Sequence, residues 1–278
     1  MRAPIFGAMA CLALIQTPAA AAGKSVRIAY VEWADAVVAT NILKLALEEK
    51  GYQVKTIPLA AAAMWQAVAT GDADASVAAW LPVTQGAYYE KLKNRIDLIG
   101  PNVTGARIGW AVPASSPLTS IEDLATKASE VDGKVIGIDP GAGVMKSSEA
   151  AIKAYGLKVK LLDGSDATMT SALKDAIRQK KGVVVTAWTP HWMFARYDLK
   201  YLADPKKSFG EAESVNTLAR KGLKADMPEV YGVLQKFKLT IKDEEAVMAE
   251  NEEKGAKPEE TAAKWIAQNR ATVDGWLK

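Results

Sequence analysis

Three tryptophans close or follow short apolar runs: Trp33 after RIAYVE, Trp80 after ASVAA and Trp188 after VVVTA. In open parallel sheets, ligands bind beyond the carboxyl ends of the strands. An indole at such a place faces a ligand more readily than one in mid-helix. The chemistry that several indole faces suit is the holding of a quaternary ammonium group. That group donates no N–H and its methyl groups shield its charge, so carboxylate pairing serves it poorly. Each aromatic face attracts it by about 0.5–2 kcal/mol, depending on desolvation. Taken singly, each indole reads equally as core filler or as an exposed platform. A second feature is Asp139-Pro140-Gly141-Ala142-Gly143-Val144-Met145, between the apolar run KVIGI and a helical pattern. A glycine-rich turn at a helix N-terminus offers free N–H groups at the positive end of the helix dipole, a place for an anion. Its spacing is neither a dinucleotide fingerprint nor a P-loop, and alone it reads equally as a tight strand–helix turn. The two features together suggest a zwitterion. Its cation would sit among Trp33, Trp80 and Trp188, and its carboxylate on the backbone amides of Gly143 and Val144.

The remaining reactive side chains offer little for catalysis. His191 is the single histidine, in Thr189-Pro190-His191-Trp192, and no G-x-S-x-G nucleophile motif is present. It reads as a structural, hydrogen-bonding residue of a turn, with contact to a ligand as the alternative. Asp72 and Asp74 in GDADAS have no EF-hand spacing after them and read as a solvated turn. No metal site, no cofactor and no enzyme activity are expected. Asp35, two residues past Trp33, could place a negative charge near the indoles, which a choline-like ligand would use. The preferred reading is that it caps the following helix. Trp65 and Trp110 read as packing or cleft-wall residues, Trp192 as packing beneath the Trp188 turn, and Trp265 and Trp276 as helix packing.

The elements that must position these residues alternate between strand and helix. Strands are expected over 24–30, 52–59 and 75–81, with helices over 34–50 and 60–70 between them. The pattern restarts with strands over 108–112, 134–138, 159–162 and 183–187, and helices near 145–155 and 166–180. The tail from Pro228 reads as helices, with Pro258 a good helix start. This order implies parallel strands joined by right-handed crossovers. The expected architecture is an α/β, two-lobed protein, each lobe a mostly parallel sheet flanked by helices. One lobe would be 24–111 plus 206–278, the other 112–205, joined by more than one strand around a cleft. The 278 residues, 49% hydrophobic, suffice for such a core. Lys+Arg 35 against Asp+Glu 32, with no basic block, argues against nucleic acid as a partner.

Residues 1–22 have the layout of a secretory signal peptide: Arg2, an apolar run to Ile15, and small residues Ala19 to Ala22. The single cysteine, Cys11, falls inside it and fits a lipid-anchor site poorly, so the mature chain would hold no thiol and no disulfide. No stretch reaches about 18 consecutive apolar residues.

On these residues the chain resembles the substrate-binding proteins of glycine betaine ABC importers, which have the type-II periplasmic-binding fold. The resemblance covers nearly the whole mature chain. It is carried by Tyr30-Val31-Glu32-Trp33 with Ala39-Thr40-Asn41, by Thr70-Gly71-Asp72 through Trp80-Leu81-Pro82, by Gly137 through Gly143, and by Ala187-Trp188-Thr189-Pro190-His191-Trp192-Met193-Phe194 on to Tyr201-Leu202. It implies a periplasmic binding protein, not an enzyme, that closes on a trimethylammonium osmolyte and delivers it to an ABC permease in the inner membrane. It places the cage on Trp33, Trp80 and Trp188 and the carboxylate contact on Gly143 and Val144. Several members carry a histidine shortly after the Trp-Leu-Pro element that helps hold the carboxylate. Here that position is Gln85, which can donate only a neutral hydrogen bond. Choline, carnitine or dimethylsulfoniopropionate are the alternative ligands. A periplasmic enzyme acting on such a ligand and a receptor-coupled sensor are the alternatives from other classes.

Overall fold

The computed structural model describes residues 25–278; the segment read as a signal peptide lies outside them. Nine strands form it: β1 (Ser25–Tyr30), β2 (Gln53–Pro58), β3 (Ala75–Leu81), β4 (Ile96–Pro113), β5 (Lys134–Ile136), β6 (Lys160–Leu162), β7 (Val185–Thr189), β8 (Leu199–Tyr201) and β9 (Glu213–Arg220). They are ordered β2-β1-β3-β9-β4-β7-β5-β6, with β8 also paired to β4. The outer pairs β1–β2, β1–β3, β5–β6 and β5–β7 are parallel, whereas β9 and β4 run antiparallel to their neighbours. The parallel units foreseen from the alternating pattern are therefore present, and antiparallel crossing strands join them into one mixed sheet.

β4 is the largest departure from the sequence reading, which foresaw a strand only at 108–112. Its first part, to Ala106, pairs with β9; from Arg107 it pairs with β7 and then β8. Gly100, Pro101 and Gly105 interrupt the apolar pattern of this stretch. The strand absorbs them as three shifts in register against β9, the usual way in which bulges accommodate an extra or awkward residue. One strand thus belongs to both halves of the molecule. The first half holds β1, β2, β3 and β9, the second β5 to β8.

Local chemistry accounts for the elements flanking the site. β3 is buried at every residue from Ala75 to Leu81, as expected of a strand covered on both faces. The helix Ala34–Glu49 buries Ala39, Ile42, Leu43, Ala46 and Leu47 on one stripe. The helix Gly143–Tyr155 ends at Gly156 in the left-handed conformation. Ser120 opens its short helix with a capping box, as its sequence pattern suggests.

The solvated turn expected at Asp72 and Asp74 is half corrected. Asp72 is exposed, but Asp74 is buried and accepts hydrogen bonds from the guanidinium groups of Arg27 and Arg220 and from the Arg27 backbone N–H. Two arginines reaching in from β1 and β9 make burial of that carboxylate tolerable, and they hold it below the usual carboxylate range against the cost of desolvation. Trp65 and Trp110 are wholly buried, their N–H groups donated to Gln85 Oε1 and Ser148 Oγ at 2.8 Å each. Trp265 and Trp276 stack on one another in the C-terminal helices.

Candidate functional site

β1, β3 and β7 deliver one tryptophan each to the middle of the molecule. Trp33 is the N-cap residue of the helix Ala34–Glu49, just past β1. Trp80 and Trp188 are the penultimate residues of β3 and β7. Leu81–Pro82 and Thr189–Pro190, which follow them, are cis peptide bonds. The three indoles line one cavity together with Ile108, which pairs with Trp188, with Ile138 and Thr84, and with Ala142, Gly143 and Val144. Its atom-free space is about 280 Å³, mouth included, room for a ligand of few heavy atoms. Trp33, Trp80 and Trp188 are only 6%, 2% and 4% exposed.

All three indole N–H edges are tied to carboxylates. Trp80 and Trp188 both donate to Asp35, to Oδ2 at 3.3 Å and to Oδ1 at 3.0 Å. Trp33 donates to Asp139 Oδ2 at 2.9 Å. Trp188 and Asp35 come from opposite halves, as do Trp33 and Asp139, so the bonds cross the interface in both directions. Further bonds close the same interface. Asp166 Oδ2 accepts the Ala34 N–H at 3.0 Å, and Tyr88 donates its hydroxyl to the Gly141 carbonyl at 2.9 Å. The Lys146 ammonium lies 4.6 Å from the Tyr88 ring centre.

Opposite the indoles, the helix Gly143–Tyr155 begins at the cavity wall. Its N-cap residue, Ala142, offers no side-chain cap. The first N–H groups of a helix have no partner within it, so those of Gly143 and Val144 stand at the positive end of the dipole beside the cavity. Gly143 allows the two halves to meet here: a Cβ at this residue would lie 2.0 Å from the Thr84 carbonyl oxygen.

Three other candidates sit around the cavity without lining it. Asp35 does not cap the helix as preferred from sequence. It lies in the first helical turn, makes no capping bond, and turns its carboxylate to the two indoles. Burial pushes its carboxyl up to about 6, with Asp166 adding to the rise. Gln85, expected at the ligand's carboxylate, is buried with its Oε1 occupied by the Trp80 and Trp65 N–H groups. The glutamine oxygen thus satisfies a backbone N–H of β3, that of Trp80 at 3.1 Å, and the indole N–H of Trp65 at 2.8 Å. His191 is fully buried beneath Trp188, ring edge to ring face at 4.5 Å. Its Nδ1 accepts the Met193 N–H, so the ring proton is on Nε2 and is donated to Asp166 at 3.1 Å. This is the structural role read from its turn. Trp192 packs against the other side of the His191 ring at 5.4 Å.

Asp139, Asp166 and Thr84 were missed as members of the site. Asp139 opens the glycine-rich turn and could have been found as its only acidic residue. Asp166 and Thr84 carry no local signal, because the groups they meet at the site, Ala34 and Gly143, lie in the opposite half.

The profile of the family described as the substrate binding domain of ABC-type glycine betaine transport systems matches residues 24–268. The chain belongs to this family. It is therefore a substrate-binding protein of a transporter and not an enzyme. The glycine betaine/carnitine transport binding protein GbuC of Listeria monocytogenes is 44% identical over 164 residues, which are 58% of this chain and 53% of that one. The chain thus matches about half the length of this relative. Lactococcal OpuAC, solved closed with glycine betaine, is 46% identical with a TM-score of 0.88, covering 92% of this chain and all of its own. The glycine/betaine/L-proline-binding protein ProX of Borrelia burgdorferi is 35% identical with a TM-score of 0.89, covering 92% and 97%. These neighbours place the chain in the type-II periplasmic-binding fold. No helix among the described residues is long and apolar enough to cross a membrane, and no group of three or more potential metal ligands occurs among them.

Proposed function

We propose that this substrate-binding protein holds glycine betaine between its halves, the trimethylammonium group among Trp33, Trp80 and Trp188 and the carboxylate on the Gly143 and Val144 amides. The observation that carries this reading is one small cavity walled by three indoles on one side and an uncapped helix N-terminus on the other. The cavity is almost purely apolar apart from that terminus. A methylated onium tolerates such a lining, because it has no N–H to satisfy, and a carboxylate finds its donors at one pole only. The relatives named for glycine betaine support the same choice. Choline lacks the anionic end that the helix N-terminus suits; choline and carnitine remain ligands of the same chemical class.

The two lobes, 24–111 with 206–278 and 112–205, would be joined through β4 and the segment between β8 and β9 and close on the ligand by bending there. After removal of residues 1–22 the protein would work in the periplasm and pass its ligand to an ABC permease of the inner membrane. Isothermal titration of the purified chain with glycine betaine, choline, carnitine and dimethylsulfoniopropionate tests the ligand assignment. Tightest binding of glycine betaine is expected; no heat with any of the four rules out the onium reading.

A further inference from the structure

The carboxylate behind the cage is unusual in its surroundings. Asp35 is 2% exposed and lies at the junction of the two halves. Its hydrogen bonds come from the two indoles, one from each half. The ionisable groups that face it are His191 with its partner Asp166, from the second half, and Glu244, from the helix Ile241–Asn251. No lysine or arginine is among them. Glu244 is itself buried, and burial raises its carboxyl well above the ordinary range. The closed site is thus short of positive charge immediately behind two of the three rings meant to receive a cation. A buried carboxylate normally finds a basic partner, as Asp74 does in this chain.

We infer that Asp35 is the positioning residue of the cage: it fixes Trp80 and Trp188 edge-on across the interface, and its charge, acting through those rings, makes the closed site selective for a cation over a neutral ligand of the same shape. Asp139 holds Trp33 in the same manner from the other side. An indole whose N–H is bound to an anion keeps its face free and its π cloud electron-rich, and that face is what attracts an onium. The inference rests on the onium reading above.

The test uses the purified chain and Asp35→Asn, which keeps the shape and one acceptor oxygen but removes the charge. Glycine betaine and its neutral-headed isostere 3,3-dimethylbutanoate, in which carbon replaces the ammonium nitrogen, are titrated into both proteins. Asp35→Asn is expected to weaken glycine betaine about 10- to 100-fold, the range for losing charge-assisted bonds. The isostere should be weakened much less, so that the preference for the cation shrinks. The melting temperature of the ligand-free protein should not fall, because a buried charge has been removed. Nitrogen-edited NMR supplies an independent reading. Of the eight tryptophan side-chain signals, Asp35→Asn should move those of Trp80 and Trp188, and Asp139→Asn that of Trp33. Absence of glycine betaine binding by the unaltered protein would defeat the onium reading itself. Binding by that protein with affinity unchanged in Asp35→Asn, equal losses for both ligands, a variant that no longer folds, or unmoved indole signals would each defeat only the role given to Asp35.

Discussion

Trp188 carries its weight through three neighbours: Asp35 on its N–H edge, His191 beneath its face, and the cavity in front. Truncation to alanine removes one wall of the cage and the bridge between halves. Trp188→Ala is expected to weaken glycine betaine about 30-fold or more, with the far-ultraviolet circular dichroism unchanged; unaltered affinity by calorimetry would argue against the cage. Gly143→Ala acts differently. Its new Cβ would meet the Thr84 carbonyl oxygen at 2.0 Å, a contact made only when the halves are together. The expected result is at least a tenfold loss of affinity, as about 1.4 kcal/mol of steric cost would give, without loss of ligand-free thermal stability. A fall in both would mean that Gly143 serves folding instead. The indoles were legible in the sequence because residue type and strand-end position already restrict what they can do. The roles of Gln85, Asp139 and Asp166 were not, because an amide or carboxylate is defined by its partners, and theirs include groups 20, 106 and 132 residues away.

Among the elements, those with a local rhythm were foreseen closely: β1, β3, the helix Ala34–Glu49 and the helix Asp166–Gln179 lie within a residue or so of their expected bounds. The crossing strands were not. β9 lies between turn glycines, Gly210 and Gly222, but its own residues show no clean alternation, and β4 hides behind glycines and a proline that only pairing with β9 makes tolerable. Pairing is non-local, so no window of sequence records it. The same non-locality hid the anchoring of β1, β3 and β9 by Asp74, whose two arginines lie 47 and 146 residues away. Asp74→Ala would leave both guanidinium groups without their acceptor. A cost of about 2 kcal/mol is expected, below the usual range for breaking a buried pair because Arg27 is partly exposed. Denaturant unfolding measures it. The glycine betaine affinity of the folded fraction should stay as it was, since Asp74 touches nothing in the cavity.

At the scale of the whole molecule, ionisation and folding oppose one another at two buried acids. Burial raises Asp35 from 3.8 to about 6, and Glu244 also lies above its ordinary value. For a carboxyl raised by folding, the cost is full above the folded value and is relieved as pH falls toward the ordinary one. With the halves together, the protein should therefore gain stability between about pH 6 and pH 4, by up to about 3 kcal/mol from Asp35. Below that window Asp74, held low by its arginines, begins to lose its contribution. Calorimetric melting at pH 7.5 and 5.0 reads the effect, and a lower melting temperature at pH 5.0 would contradict it. The strand order has a practical consequence of its own. β2 and β6 stand at opposite ends of the sheet, while the shared strand β4 lies near its middle. Any bend about that middle is magnified along two long lever arms. With the single cysteine at position 11, thiols introduced at Lys55 and Leu162 and labelled with a donor and an acceptor dye would form an optical gauge in which a small rotation becomes a large change in energy transfer.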